Sequence, residues 1–392
     1  MNNTKHFNTI IIGAGISGIS LAQKLSQANI NNCIFESSNI GGCIDSQKYK
    51  DFWFEMGAHT IYNSYNETID YIRNNSLEQN IQPRRKAPFL FVQPNNKIQS
   101  IFTNINPFTA VSSFLKNRNI SKENKTVSEY AIKLFGKKNY DRTLKFCFDA
   151  VLSQNSQSFP MEYLFKKYDR DTSLPRSFTF KNGLSELFTN QKQSVIKEKV
   201  INISKQDKWI IETNHANYHC ESLCIATPWN ITESLLENIL PNIAKHQYRP
   251  AMSNLISIGI VTSKKSLKHI KNLAGLIGKD QFFYSAVSRD VVDNPSYRAI
   301  AFHCKDNYSQ KELMHKITKL LNITEEDILH TYIKQNTLPC YHRNHHIFLQ
   351  DLEKELLEIP SLYITGNFFD RLAIENCIRR SSKEASRLIK FV

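Results

Sequence analysis

One stretch near the start of the chain restricts its fold more than any other. Thr9-Ile10-Ile11-Ile12 is a short β-branched run of the kind that forms a parallel strand buried on both faces. It enters Gly13-Ala14-Gly15-Ile16-Ser17-Gly18, a G-x-G-x-x-G turn, after which Ile19, Ala22 and Leu25 recur at helical spacing. A second strand, Cys33-Ile34-Phe35, delivers Glu36. Strand, glycine turn, helix, strand and acid in that order make a mononucleotide-binding unit. Gly13 permits the tight turn, Gly15 lets a pyrophosphate approach the backbone, and Gly18 lets helix and strand pack closely. The helix N-terminus offers phosphate its unpaired N–H groups and the positive end of its dipole. Glu36 accepts hydrogen bonds from ribose hydroxyls and repels a 2′-phosphate, so the expected ligand is a dinucleotide with an unphosphorylated ribose.

The following residues narrow the choice. Glu36-Ser37-Ser38-Asn39-Ile40-Gly41-Gly42-Cys43 and Phe54-Glu55-Met56-Gly57-Ala58-His59 resemble two successive elements of the flavin amine oxidase and protoporphyrinogen oxidase superfamily. The resemblance implies FAD, with the Gly41-Gly42 turn closing over the pyrophosphate and the Gly57-Ala58 backbone lying against the isoalloxazine. A histidine at the position of His59 also occurs in the UDP-galactopyranose mutase branch. Toward the other end, Leu362-Tyr363-Ile364-Thr365 reads as a strand broken by Gly366-Asn367. Ala373-Ile374-Glu375-Asn376-Cys377-Ile378 then opens a final helix with Ala385, Leu388 and Ile389 on its apolar side. This resembles the superfamily's carboxy-terminal flavin motif, in which the helix N-terminus faces the pyrimidine edge and stabilises the anionic reduced ring.

Intermediate segments fit the same resemblance. Val200-Ile201-Asn202-Ile203, Trp209-Ile210-Ile211 and Cys224-Ile225-Ala226-Thr227-Pro228 resemble the return to the nucleotide domain, which implies the Val200 backbone at adenine. Protoporphyrinogen oxidases look closest, through Thr126-Val127-Ser128-Glu129-Tyr130, Phe178-Thr179-Phe180-Lys181-Asn182-Gly183-Leu184, and Pro339-Cys340-Tyr341 with His345. The cofactor-contacting set so implied is Gly13, Ala14, Gly15, Ile16, Ser17, Gly18, Glu36, Ser37, Gly41, Gly42, Cys43, Gly57, Ala58, His59, Val200, Gly366, Asn367, Arg371, Ala373 and Ile374. His59, Tyr341 and His345 are the catalytic candidates. Two of them have a plainer reading: His59 bonds locally, and Tyr341 is a core aromatic.

Three positions depart from the pattern. Cys43 stands where the superfamily usually has Arg, which removes a charge-assisted contact to phosphate. Arg371 and Ser381 occupy positions that are usually Gly. Arg371 either brings its guanidinium to the flavin's anionic edge or points to solvent; the sequence leaves both open.

The chain has 392 residues, enough for two domains with cores of their own, and 41% of them are hydrophobic, as in ordinary globular proteins. No run approaches the ~20 apolar residues of a spanning helix, and the N-terminus shows no secretion signal. Eight irregularly spaced cysteines read as free thiols of a cytoplasmic protein. Cys340-Tyr341-His342-Arg343-Asn344-His345-His346 lacks a second ligand pair at finger-like spacing, so no metal is expected.

Charge is uneven. Of a net +14, residues 81–150 contribute +9, from 13 Lys/Arg against 4 Asp/Glu. Three readings stand: a solvated basic face, attraction to an anionic membrane surface through an amphipathic helix bearing Phe108, Val111, Phe114 and Leu115, or steering of an acidic substrate. Nucleic acid is not expected, because no recognised module accompanies the charge.

The expected fold class is α/β: a Rossmann-like FAD-binding domain of discontinuous segments (residues 1–80, 190–235 and 345–392) plus an α+β substrate domain. The latter comprises a helical insertion, 85–185, and a β-rich segment, 245–345. The expected function is FAD-dependent removal of hydride from a C–H next to nitrogen or a conjugated carbon of a small substrate, with oxygen or another electron acceptor; an acidic substrate is one option, which the basic stretch would suit. Porphyrinogen-like compounds, amines and natural-product intermediates all fit. The alternatives are a redox-neutral sugar-nucleotide mutase and a degenerate FAD-binding protein. Oligomeric state is not legible.

Overall fold

The computed structural model describes residues 5–391. Strand Lys5–Ile12 lies at the centre of the first sheet, parallel to Asn32–Phe35 on one side and to Asn217–Ile225 on the other. Ser194–Ile196 extends the sheet beyond Asn32–Phe35, and Leu362–Ile364 joins Asn217–Ile225, both parallel. Trp209–Thr213 and Val200–Lys205 complete it as an antiparallel meander.

The β-branched sequence explains the central position. Ile10, Ile12, Phe35, Leu223, Ile225, Leu362 and Ile364 enter one buried cluster; Ile11, Ile34, Cys224 and Tyr363 enter another on the opposite face. Strands that bury both faces need the continuous apolar runs seen here. The helices Ile16–Gln27 and Ile374–Phe391 pack together on the second face. Ser381 locks them: its hydroxyl donates to the Ser17 carbonyl at 2.8 Å and shares a hydrogen bond with Thr365 Oγ1. The two ends of the chain therefore meet, and one of the three unusual positions makes the contact.

The second sheet is mostly antiparallel and has seven strands. Its order is Ile328–Cys340, Ala251–Ser263, Tyr297–Lys305, Phe283–Ser288, Gly275–Gly278, Phe89–Val92 and Ile98–Ser100. One face is covered by helix Gln310–Leu321 through Leu313, Ile317, Leu320 and Leu321. The other face receives Phe52, Phe54 and Met56 against Val261, Ala299 and Ala301. Gly259 makes that approach possible, since a Cβ there would lie 2.3 Å from the Phe54 ring and 2.6 Å from the Met56 sulfur. The hairpin of Ser46–Tyr49 and Phe52–Glu55 thus docks on the second sheet and runs straight into Gly57-Ala58-His59.

Residues 85–185 are helical only in their middle. Phe89-Leu90-Phe91-Val92, aromatic and β-branched, enters the second sheet, and Ser177–Phe180 pairs with Ile61–Tyr62 and Ile81–Pro83. Between them lie helices Pro107–Asn117, Val127–Phe135 and Lys145–Leu152. The second begins with a capping box of Thr126 and Glu129.

Candidate functional site: a dinucleotide crevice and its facing sheet

The glycine turn is built by contacts that only glycine tolerates. Gly13 has φ +104° and its amide donates to the Phe35 carbonyl at 2.8 Å. A Cβ on Gly18 would sit 1.9 Å from the Gly13 carbonyl oxygen, so helix and strand touch through backbone alone. Gly15 differs: nothing lies within 4 Å of where its Cβ would be. It is the N-cap of helix Ile16–Gln27, with no side-chain cap and no acid in the first turn. An uncapped helix N-terminus beside open space could hold a phosphate.

Glu36 is oriented by backbone. One carboxylate oxygen accepts from the Ala14 amide at 2.8 Å, the other from the Ser38 amide at 2.8 Å and its hydroxyl at 3.0 Å. Ser37 beside it is exposed. The Glu36 amide donates to Ile196, and Val200, buried four residues further on, begins the meander strand. Replacing Glu36 by Ala leaves the core intact and is expected to lower dinucleotide affinity about tenfold or more, since hydrogen bonds to a charged group contribute roughly 1.5–3 kcal/mol. Retained ligand after gel filtration measures this; full retention would remove Glu36 from the ribose.

The Gly41-Gly42 turn lies directly over Gly15. Gly41 has φ +118°, its amide donates to the Ala14 carbonyl at 2.9 Å, and it bridges Gly15. Cys43, exposed on this turn, accepts at its carbonyl from the Ala58 amide at 3.3 Å, and a Cβ on Gly57 would lie 2.4 Å from the same oxygen. The Cys43 side chain supplies no cation. Lys334 brings one from the second sheet, its ammonium donating to the Gly42 carbonyl and to Asp45, both at 2.8 Å.

After strand Leu362–Ile364, Thr365 donates its amide to Ile225 at 2.9 Å, and Gly366-Asn367 leads from the strand toward Ala373 and Ile374, where the last helix begins. Tyr341 and His345 stand behind this loop, both fully buried. The Tyr341 hydroxyl donates to the Asn367 carbonyl, and His345 Nε2 bonds the Phe368 carbonyl at 2.7 Å. Their rings stack at 4.2 Å and 11°. Burial lowers the His345 pKa to about 4. The structure thus places both as supports of the loop's backbone. Arg371 is only 12% exposed, beside Asp370 at 3.6 Å and with its guanidinium 5.7 Å from the centre of the Tyr168 ring. Its Nε is buried without a hydrogen-bond partner.

His59 bonds its neighbour's carbonyl, Nδ1 to Gly57 O at 3.2 Å. Burial first, and the nearby Arg84 cation second, depress its pKa to about 3. It lines a recess with Trp53, Glu55, Arg84 and Arg289. Arg289 stacks on Trp53 at 3.9 Å, and burial lowers its pKa to about 10. Glu55 accepts from the Leu184 amide at 2.7 Å and the Ser46 hydroxyl at 2.8 Å, yet burial raises its pKa from 4.5 to about 7.

A raised carboxyl pKa means that the folded chain holds the proton more tightly than the unfolded one. Glu55 therefore contributes stability that is complete below about pH 4.5 and is lost as pH rises through about 7. Between about pH 5 and about pH 8 the wild type is expected to lose stability relative to Glu55→Gln, by on the order of 3 kcal/mol. Urea midpoints of both proteins at the two pH values test this, and parallel shifts would refute it.

Register identifies further residues that the sequence did not mark. Ser257, Gly259 and Val261 share a face with Ala299, Ala301 and His303, and with Tyr332, Lys334 and Asn336, because Ser257 pairs with both His303 and Lys334. This is the face that Phe54 and Met56 cover in part. Beyond them it turns polar: Asn336 donates to Ser257 Oγ at 2.8 Å, and that hydroxyl shares a 3.0 Å hydrogen bond with His303 Nδ1. Burial lowers the His303 pKa to about 4, and His303 in turn helps to depress that of His59. The one visible signal was a polar residue at an inward position of an apolar strand, as in Leu255-Ile256-Ser257-Ile258.

Comparisons with known proteins bear on the fold. Residues 11–74 match the NAD(P)-binding Rossmann-like domain family. Protoporphyrinogen oxidase 2, chloroplastic/mitochondrial, of Arabidopsis thaliana is 20% identical over 97% of this chain and 94% of its own length. A protoporphyrinogen oxidase-like protein from Exiguobacterium sp. 255-15 superposes with a TM-score of 0.80 over 100% of both chains, at 14% identity. Putrescine oxidase bound to putrescine superposes at 0.77 over 99% of this chain and 100% of its own, at 12% identity. The chain has the fold of the FAD-dependent amine oxidases and protoporphyrinogen oxidases, with a Rossmann-like dinucleotide domain near its start.

Proposed function

We propose that the protein is an FAD-dependent oxidase or dehydrogenase acting on a small, acidic substrate. One observation carries the reading. Around the open, uncapped helix start at Gly15 gather Glu36, which accepts from the Ala14 amide, the Gly41-Gly42 turn, which bridges Gly15, and the last helix, which Ser381 ties to the Ser17 carbonyl. Bound FAD would accept hydride from a C–H next to nitrogen or a conjugated carbon and pass the electrons to oxygen or another acceptor.

The chain's residues then divide the work. Gly15 and the first-turn amides would hold the pyrophosphate and Glu36 the ribose, while Lys334, paired with Asp45, fixes the Gly42 turn. The start of the helix Ile374–Phe391 would offer the positive end of its dipole to a bound flavin. His59 and His303 stay neutral near pH 7, so each exchanges hydrogen bonds with substrate without adding charge. Arg84 and Arg289 in the recess beside His59 favour a carboxylate-bearing substrate, such as a porphyrinogen, over a simple amine.

The purified protein should be yellow, with an oxidised-flavin spectrum that bleaches anaerobically on addition of a carboxylated porphyrinogen. A colourless protein that takes up no added FAD would overturn the cofactor. Isomerisation of a sugar nucleotide without any electron acceptor would overturn the oxidation.

A further inference from the structure

The recess beside His59 holds buried donors that have no acceptor. Thr179, 1% exposed, leaves its hydroxyl without a hydrogen-bond partner, and Arg84 and Arg289 each leave a buried Nε–H without one. All three residues line the recess. The other guanidinium contacts go to neutral oxygens: Arg84 Nη1 donates to the Thr60 hydroxyl, and Arg289 Nη1 to the Val292 carbonyl at 2.6 Å. Among the described residues no carboxylate bonds either guanidinium. A buried cation is costly unless an anion pairs with it, and a buried donor costs free energy while it stays unbonded.

The carboxyl already in the recess does not meet this need. Glu55 directs its oxygens to the Leu184 amide at 2.7 Å and the Ser46 hydroxyl at 2.8 Å, and burial raises its pKa to about 7, so it is only partly charged near neutrality. Of the other groups around it, His59 stays neutral, and Asp45 is paired with Lys334 at 2.8 Å. Water could satisfy a donor but would leave two cations unbalanced. A negatively charged acceptor satisfies both. Arg289 is set for one: its guanidinium lies 3.9 Å from the centre of the Trp53 ring, which is itself fixed by a 2.6 Å hydrogen bond from Nε1 to the Lys181 carbonyl. The recess encloses about 20 Å³, little more than one water needs, so it admits a carboxylate group and excludes a ring.

We propose that the recess binds one carboxylate group, held by the guanidiniums of Arg84 and Arg289 and the hydroxyl of Thr179, and carried either by a free small acid or by the end of the substrate. This deepens the acidic-substrate reading given above and rests on it only for the question of whose carboxylate enters.

Calorimetric titration of the purified protein with sodium formate, at about pH 6 and constant ionic strength, tests it. Formate and acetate are expected to bind in a ratio of about one per chain, and pivalate, whose carboxylate is crowded by methyl groups, about tenfold or more weakly. Arg289→Met and Thr179→Val should each weaken formate by about tenfold. Above about pH 7 the ionised Glu55 competes for the same cations, so wild-type affinity should fall, by up to about tenfold per pH unit, while Glu55→Gln should keep its affinity. Should the variants fail to fold, the wild-type preference for formate over pivalate and its decline with rising pH still decide. No binding of formate, equal binding of pivalate, or unchanged binding by a folded Arg289→Met or Thr179→Val protein would overturn the proposal. Formate that competes with a carboxylated porphyrinogen in bleaching the flavin assigns the carboxylate to the substrate; formate that binds without competing assigns it to a free acid. The titration needs no turnover, so a colourless or inert protein would refute the oxidase and leave the recess to be judged by its own binding.

Discussion

Gly18→Ala is expected to lose much of the fold's stability, whereas Gly15→Ala is expected to keep it and to purify without its dinucleotide. The two glycines lie three residues apart in one motif, yet their surroundings are opposite. A methyl group on Gly18 would meet the Gly13 carbonyl oxygen at 1.9 Å and the Ala226 methyl at 3.3 Å. Neither neighbour can yield: Gly13 is bonded to Phe35, and the Ala226 amide donates to Ile12 at 2.8 Å. Overpacking costs typically 1–3 kcal/mol where side chains can shift; against fixed backbone about 3 kcal/mol or more is expected. That is a large part of a margin of roughly 5–15 kcal/mol. At Gly15 the backbone is extended, with φ −74° and ψ 178°, and a methyl would enter empty space. Stability should change by less than about 1 kcal/mol. The same methyl would stand over the helix amides where a pyrophosphate must rest, so affinity should fall by at least about tenfold. Urea unfolding and the visible spectrum of each variant separate the two effects. A yellow Gly15→Ala protein with wild-type flavin content would sink the assignment of the cradle.

Arg298→Met should cost about 3–5 kcal/mol, the usual penalty for leaving a buried charge without its partner. Arg298 and Asp290 each expose only 3% of their side chains, and two hydrogen bonds of 2.9 and 2.5 Å join them. Arg298 also donates to the carbonyls of Leu267, Ile270 and Lys271, at 2.7, 2.7 and 3.3 Å. The substitution strands all of these groups, because Asp290 keeps only the Leu273 amide and the Ser288-to-Asp290 turn loses its anchor. Adding Asp290→Leu should restore part of the loss, because the uncompensated charge goes with it. The injury should reach the site as well, since Arg289, next in the chain, stacks on Trp53 in the recess of His59. Guanidinium unfolding of the single and double variants measures the first effect. A loss below about 1 kcal/mol would mean that the pair is solvated rather than buried.

Much of the nucleotide half was legible because its chemistry is local. The glycine turn, the helix after it and Glu36 lie within residues 9–36, and each depends on neighbours a few positions away. The Gly41-Gly42 turn and the last helix were legible by resemblance; in the structure Gly41 bridges Gly15, and Ser381 of that helix bonds Ser17. Lys334, Ser257, His303 and Asn336 were not. Alternation shows that a strand has two faces, but the pairing of Ser257 with both His303 and Lys334 exists only once three distant strands are in register. Lys334 reaches the Gly42 carbonyl across 292 residues of sequence. The roles of Tyr341 and His345 were likewise open until their contacts with the backbone of Asn367 and Phe368 appeared.

The amphipathic helix of Phe108, Val111 and Leu115 makes the division clearest. Its stripe is written in the order of its residues, because a period of 3.6 depends on nothing outside the helix. Which side of that stripe meets the protein is a matter of packing, settled by Thr109 against Gly136 and Asn117 on the Lys133 carbonyl. Local periodicity specifies the faces of an element; only contacts between distant segments decide where each face points.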